Sequence, residues 1–117
     1  MTLMLYDWTQ VPAEQLNPHV SRKCIHTAAL TIARLHIKKG GVVPEHKHIH
    51  EQVAHVEKGA LKFTVNGVDQ VIRAGQSLVL PSMVPHGVEA LEDTDVLDTF
   101  TPVRQDWVTG DDAYLRK

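Results

Sequence analysis

Residues 40–59 read Gly40-Gly-Val-Val-Pro-Glu-His46-Lys-His48-Ile-His50-Glu-Gln52-Val-Ala-His-Val-Glu-Lys-Gly59, a histidine run bounded by glycines. Side chains two residues apart on an extended strand point to one side, so His46 and His48 present paired imidazoles to a common point, a geometry suited to a metal ion. His50 has the same parity and is a candidate substitute ligand. Gln52 follows four residues after His48. A second segment, Gly75-Gln-Ser-Leu-Val-Leu-Pro81-Ser-Met83-Val-Pro-His86, sets another histidine directly after a proline.

Outward from these segments the hydrophobic period is mostly two. Ala28, Leu30, Ile32, Arg34 and His36 alternate with Ala29, Thr31, Ala33, Leu35 and Ile37, which predicts a strand with apolar residues on both faces, ended by Gly40-Gly41. Leu61 to Val65 is joined to Val68 to Ile72 by Asn66-Gly67, a strong hairpin signal because both residues tolerate positive φ. Ser77 to Leu80 is a short strand stopped by Pro81. His86 to Leu91 and Asp95 to Thr101 read as two more, separated by the turn-prone Glu92-Asp93-Thr94. Helix is confined to the ends: Val11 to Leu16, after Thr9, predicts a single turn, and the tail from Trp107 has too many breakers for an assignment. About eight to ten short strands, with turns every 8 to 12 residues, predict an all-β sandwich or barrel of the jelly-roll kind.

Composition bounds the function. With 117 residues, 43% hydrophobic and 22% charged, residues 1–117 are read as a single domain. A formal charge of -2 without runs of like charge argues against nucleic acid and against an anionic membrane surface as partners. The longest apolar stretches, such as Ala28-Ala29-Leu30, fall far short of the roughly 20 residues of a membrane span. The one cysteine, Cys24, forms no internal disulfide and reads as a small buried apolar group. With no charged-then-apolar leader before Tyr6-Asp7-Trp8, the expected compartment is the cytoplasm.

The spacings Gly40-x5-His46-x-His48-x3-Gln52-x6-Gly59 and Gly75-x5-Pro81-x-Met83-x2-His86 together resemble the paired motifs of the cupin superfamily. The chain departs from that pattern where the family commonly has glutamate, glycine and asparagine and this sequence has Gln52, Met83 and Ala90. The resemblance implies a double-stranded β-helix, with motif 1 at about 40–59 and motif 2 at about 75–90. It also implies one divalent metal ion inside the barrel, held by His46, His48, Gln52 and His86. Nickel, manganese, iron, cobalt and zinc all accept imidazole plus an amide oxygen. A glutamine in place of glutamate leaves the ion's charge uncompensated, which makes it a stronger Lewis acid and favours anionic, oxygen-rich ligands. His19, His26, His36 and His55 fit no ligand spacing.

In the strand from Asp95 to Thr101, an inward Val96 and Phe100 carry Asp98 inward with them. There it is either a proton-transfer group near the ion or a buried carboxylate holding a turn. Arg104, beyond Pro102, is either a bidentate clamp for a substrate carboxylate at the pocket mouth or half of an ion pair.

The stretches from Pro85 to Thr94 and from Asp98 to Trp107, with His48-Ile-His50-Glu-Gln52 and the early Trp8, resemble the pectin-degradation cupins (KdgF-like) almost end to end. That family has glutamine as its fourth ligand. The resemblance implies an enzyme that linearises 4,5-unsaturated uronates, released from pectin or alginate, to open-chain keto sugars. It gives Asp98 the role of acid/base, Arg104 that of binding the substrate carboxylate, and Phe100 that of shaping the pocket. Trp107 is read as packing over the barrel mouth or a subunit contact. Another metal-dependent cupin enzyme, such as a dioxygenase, would consume oxygen; a non-catalytic sugar-acid binding cupin would leave uronates unchanged. The segment from Leu3 to Tyr6 could cover or exchange a sheet edge, and a homodimer is expected.

Overall fold

A computed structural model describes residues 3–116. Ten strands run in order: β1 (Glu14–Gln15), β2 (Val20–His26), β3 (Thr31–Ile37), β4 (Val42–His46), β5 (Glu51–Lys58), β6 (Ala60–Val65), β7 (Val68–Arg73), β8 (Ser77–Leu80), β9 (His86–Ala90) and β10 (Thr94–Thr101). They form a six-stranded sheet, β1-β2-β3-β10-β5-β8, facing a four-stranded one, β4-β9-β6-β7, with every described pair antiparallel. This is the double-stranded β-helix expected from the motifs. A short helix α1 (Gln105–Val108) and 3-10 turns at Trp8–Gln10 and Ala113–Leu115 complete it.

Alternation sets the core. Thr31, Ala33, Leu35 and Ile37 of β3 face inward with Val96 and Phe100 of β10, and Ala54 and Val56 of β5 lie beside them; Leu61 and Phe63 of β6 close the core from the other sheet. The outer residues of β3 are only half-buried, so the expectation of two apolar faces is corrected: one face looks outward, where Arg34 lies over the Trp8 ring at 5.1 Å. The hairpin is as the sequence predicts, with Asn66 at φ 49 and Gly67 at φ 78 joining β6 to β7 in the register Val65↔Val68.

Several elements differ from expectation: β3 begins at Thr31 rather than Ala28, because Thr27 closes a turn onto Leu30, and β4 ends at His46, so His48 lies in the loop beyond the strand. The helical turn expected over Val11 to Leu16 sits earlier, at Trp8–Gln10, because Asp7 Oδ1 accepts from the Thr9 backbone N–H at 2.9 Å and caps it there. Strand β2 has no counterpart in the sequence reading: its inward Arg22 interrupts the apolar alternation, yet is buried against Asp112 at 2.8 Å. The tail left unassigned from Trp107 folds back over the barrel mouth, with Trp107 and Leu115 buried.

Candidate metal centre and pocket

Each sheet supplies part of one site. On the smaller sheet His46 of β4 stands directly across from His86 of β9. Strand β4 is an edge strand, which tolerates Pro44, and the Pro44 carbonyl accepts a hydrogen bond from His46 Nδ1 at 2.8 Å. The Nδ1 atoms of His48 and His86 are likewise held by the carbonyls of His50, at 3.0 Å, and Val84, at 2.9 Å. Three such bonds assign the ring protons to Nδ1 and leave three Nε2 lone pairs free. The ligand atoms of His46, His48 and His86 lie within 4.8 Å of one another, a grouping fit for a metal ion.

Gln52, at the start of β5, completes the arrangement. Its Nε2 donates to Asp98 Oδ1 at 3.1 Å, which turns its Oε1 toward His48 Nε2 at 3.2 Å. With the His48 proton on Nδ1, two acceptors face each other across that gap. A cation between them resolves the conflict, so these residues fit the divalent ion the motifs imply. Burial pushes the imidazoles of His46, His48 and His86 below their usual range, His48 to about 4 with help from the Arg104 charge. Neutral imidazoles at pH 7 offer their lone pairs without first losing a proton.

The larger sheet contributes a buried carboxyl group. Val96, Asp98 and Phe100 of β10 all face inward, as the alternation predicts, and register places Asp98 between Ala33 of β3 and Ala54 of β5. Two alanines leave its carboxyl room and withhold hydrogen bonds. Burial raises Asp98 to about 7, against the opposing pull of the Gln52 N–H and the Arg104 charge. Phe100 forms one wall, its ring centroid 5.8 Å from that of His48 and 5.0 Å from that of Trp107.

Arg104 is buried under the tail and lines the same cavity. Its Nε and Nη2 donate to the two Asp106 oxygens at 3.0 and 2.7 Å, so the bidentate edge expected for a substrate is engaged within the protein. Burial pushes the Asp106 carboxyl up, but the Arg104 guanidinium outweighs it and holds the group below its usual range. Nη1 makes none of the described hydrogen bonds. Trp107 is packed between two guanidinium groups, Arg104 at 4.2 Å and Arg22 at 4.5 Å.

His50 stays out of the metal group: its Nε2 donates to the Val103 carbonyl at 3.2 Å. Tyr114 is the site residue that sequence reasoning missed. Its ring lies 4.8 Å from that of His46, and it lines the cavity from a tail that carries no periodic signal.

A two-sheet β-helix with a His-x-His pair and a third histidine on the adjoining strand defines a cupin. Residues 33–100 match the family described as Cupin domain, and the chain belongs to that family. It is similar to the pectin degradation protein KdgF of Dickeya dadantii (strain 3937), with 33% identity over 102 residues, 85% of this chain and 93% of that one. The solved structure of KdgF from Halomonas sp. superposes with a TM-score of 0.84 at 29% identity, covering 91% of this chain and 99% of its own. An RmlC-like cupin from Shewanella frigidimarina NCIMB 400 gives a TM-score of 0.84 at 28% identity, covering 91% and 96%.

Proposed function

We propose that this cupin is an enzyme of pectin and alginate breakdown that opens the ring of 4,5-unsaturated uronates to give open-chain keto uronates. The observation that carries the reading is Asp98, a buried carboxyl raised to about 7 and hydrogen-bonded to the amide that faces the histidine group. Similarity to KdgF supplies the substrate class.

The substrate is a hemiacetal joined to an enol ether. Opening it removes the anomeric hydroxyl proton, breaks the bond from the anomeric carbon to the ring oxygen, and finally adds a proton at C4. The product is an isomer, so no electrons are gained or lost. A divalent ion held by His46, His48, His86 and Gln52 supplies Lewis-acid stabilisation of negative charge on substrate oxygens. Asp98 exchanges the proton: burial pushes its carboxyl above the usual carboxylate range, and its hydrogen bond to Gln52 sets it beside the histidine group. Arg104 attracts the substrate carboxylate, and the Phe100 ring bounds the sugar face while excluding water. The same reading makes the enzyme a cytoplasmic homodimer, paired through the exposed apolar residues Leu3, Met4 and Leu5.

The test follows loss of the conjugated ultraviolet absorbance of 4,5-unsaturated galacturonate, corrected for spontaneous opening. Metal-replete protein accelerates the loss, chelated protein does not, and dissolved oxygen stays constant. Oxygen consumption, or a rate equal to the spontaneous one, overturns the proposal.

A further inference from the structure

The cavity at the site has a volume of about 50 Å³. That holds one or two waters, at about 30 Å³ each, and is far below the roughly 300 Å³ at which small-molecule pockets begin. A sugar acid enters only if a wall moves. Strands β3, β5 and β10 are locked by paired ladders on both sides. Val43, Leu61, Phe63 and Val88 of the smaller sheet form the facing wall, and the rest is the tail beyond Gly110, a residue at φ 80 with open space around it. Tyr114 and Leu115 from this tail line the cavity.

Hydrogen-bond arithmetic at Tyr114 gives the tail a chemical role. Its hydroxyl oxygen accepts from Arg104 Nη2 at 2.6 Å and from Trp107 Nε1 at 3.2 Å. Both lone pairs are used, so the hydroxyl hydrogen is a donor, and it has no acceptor among the described contacts. Beside it, Arg104 has Nε and Nη2 occupied and Nη1 free of the described hydrogen bonds.

We infer that Tyr114 is a substrate-binding residue: a sugar acid displaces the tail only far enough to make room, leaving the Asp112–Arg22 pair in place, and the Tyr114 hydroxyl and Arg104 Nη1 donate together to its carboxylate. This rests on the sugar-acid reading of the site and adds a donor that the motifs do not contain.

The chain has two tyrosines, Tyr6 and Tyr114, so 3-fluorotyrosine labelling gives two fluorine resonances, assigned with Tyr114→Phe. Titration of metal-loaded protein with galacturonate, a non-reacting probe, shifts the Tyr114 resonance, whereas galactose, which lacks the carboxylate, leaves it in place. Tyr114→Phe keeps the ring against His46 and weakens galacturonate binding by roughly 10- to 100-fold, the range for a hydrogen bond to a charged group, with galactose binding unchanged. Galacturonate affinity unaltered in Tyr114→Phe overturns the role of Tyr114 alone, provided that wild type binds galacturonate and opens the unsaturated substrate. Tighter galacturonate binding in Tyr114→Phe, with the wild-type Tyr114 resonance moving to its solvent-exposed position on titration, also overturns it and makes the tail a plug. Wild type that neither prefers galacturonate to galactose nor opens the unsaturated sugar overturns both this inference and the function beneath it.

Discussion

Gln52 joins the histidine group to Asp98, since one amide turns its oxygen toward the histidines and its nitrogen toward Asp98. A glutamate there would set a second carboxylate beside Asp98 and disfavour ionisation of the pair. The ligand assignment is directly testable. Elemental analysis of purified protein reads about one divalent ion per chain, and His86→Ala, which removes one of three preset Nε2 donors, loses it. Equal metal content in the variant contradicts the assignment. Cys24 offers a contrasting case: burial pushes its thiol up to about 11, well above its usual range. Native protein at pH 7.5 therefore resists iodoacetamide and reacts only on unfolding; rapid native alkylation would show that the thiol is not so placed.

At the scale of elements, two glycines separate backbone strain from crowding. Gly59 carries the chain from β5 to β6 at φ 92, and a Cβ there would meet the Asp93 carbonyl and Thr94 Oγ1. Gly67 has a similar φ of 78 and open space. Gly67→Ala is expected to cost about 1 kcal/mol by denaturant unfolding, from strain alone, and Gly59→Ala clearly more. Equal losses would show that crowding at Gly59 is relieved by movement. The Asn66-Gly67 hairpin and the inward set on β10 were legible in the sequence because turn chemistry and alternation are local signals. Strand β2 was not, since the buried charge of Arg22 depends on partners distant in the chain, above all Asp112, ninety residues further on. The grouping of His46, His48 and His86 was legible as spacing. Tyr114 was not, because its place depends on how the tail folds back, and Arg104 could be read as clamp or ion pair until Asp106 was seen in contact with it.

Across the whole molecule, the tail is tied to the start of the chain by a chain of charges: Asp112 bonds Arg22 and Arg116, both at 2.8 Å, and Glu14 accepts from both arginines at 3.2 Å. Hydrogen bonds from Arg116 and then Arg22 hold the Asp112 carboxyl below its usual range. A depressed carboxyl stabilises the fold above its unfolded value and loses that contribution as pH falls through the folded value, so stability declines on the acid side. Asp112→Ala removes the shorter of the two ion pairs of buried Arg22 and leaves Glu14 as its remaining partner; the expected loss at pH 7 is about 1.5–3 kcal/mol, with a flatter acid limb. An unchanged acid limb would remove the latch from the account. Leu3 and Leu5 are 82% and 97% exposed, and Leu5→Asp is expected to shift the protein from dimer to monomer by light scattering. A wild-type monomer would place no partner on that segment. The proposed chemistry turns on Asp98, and the most direct measurement compares wild type with Asp98→Asn, both metal-loaded, in the rate of ultraviolet absorbance loss from 4,5-unsaturated galacturonate. A fall of about 10² to 10⁴ with metal content unchanged is the predicted result. A variant as fast as wild type would contradict the assignment of Asp98 as the proton-transfer group.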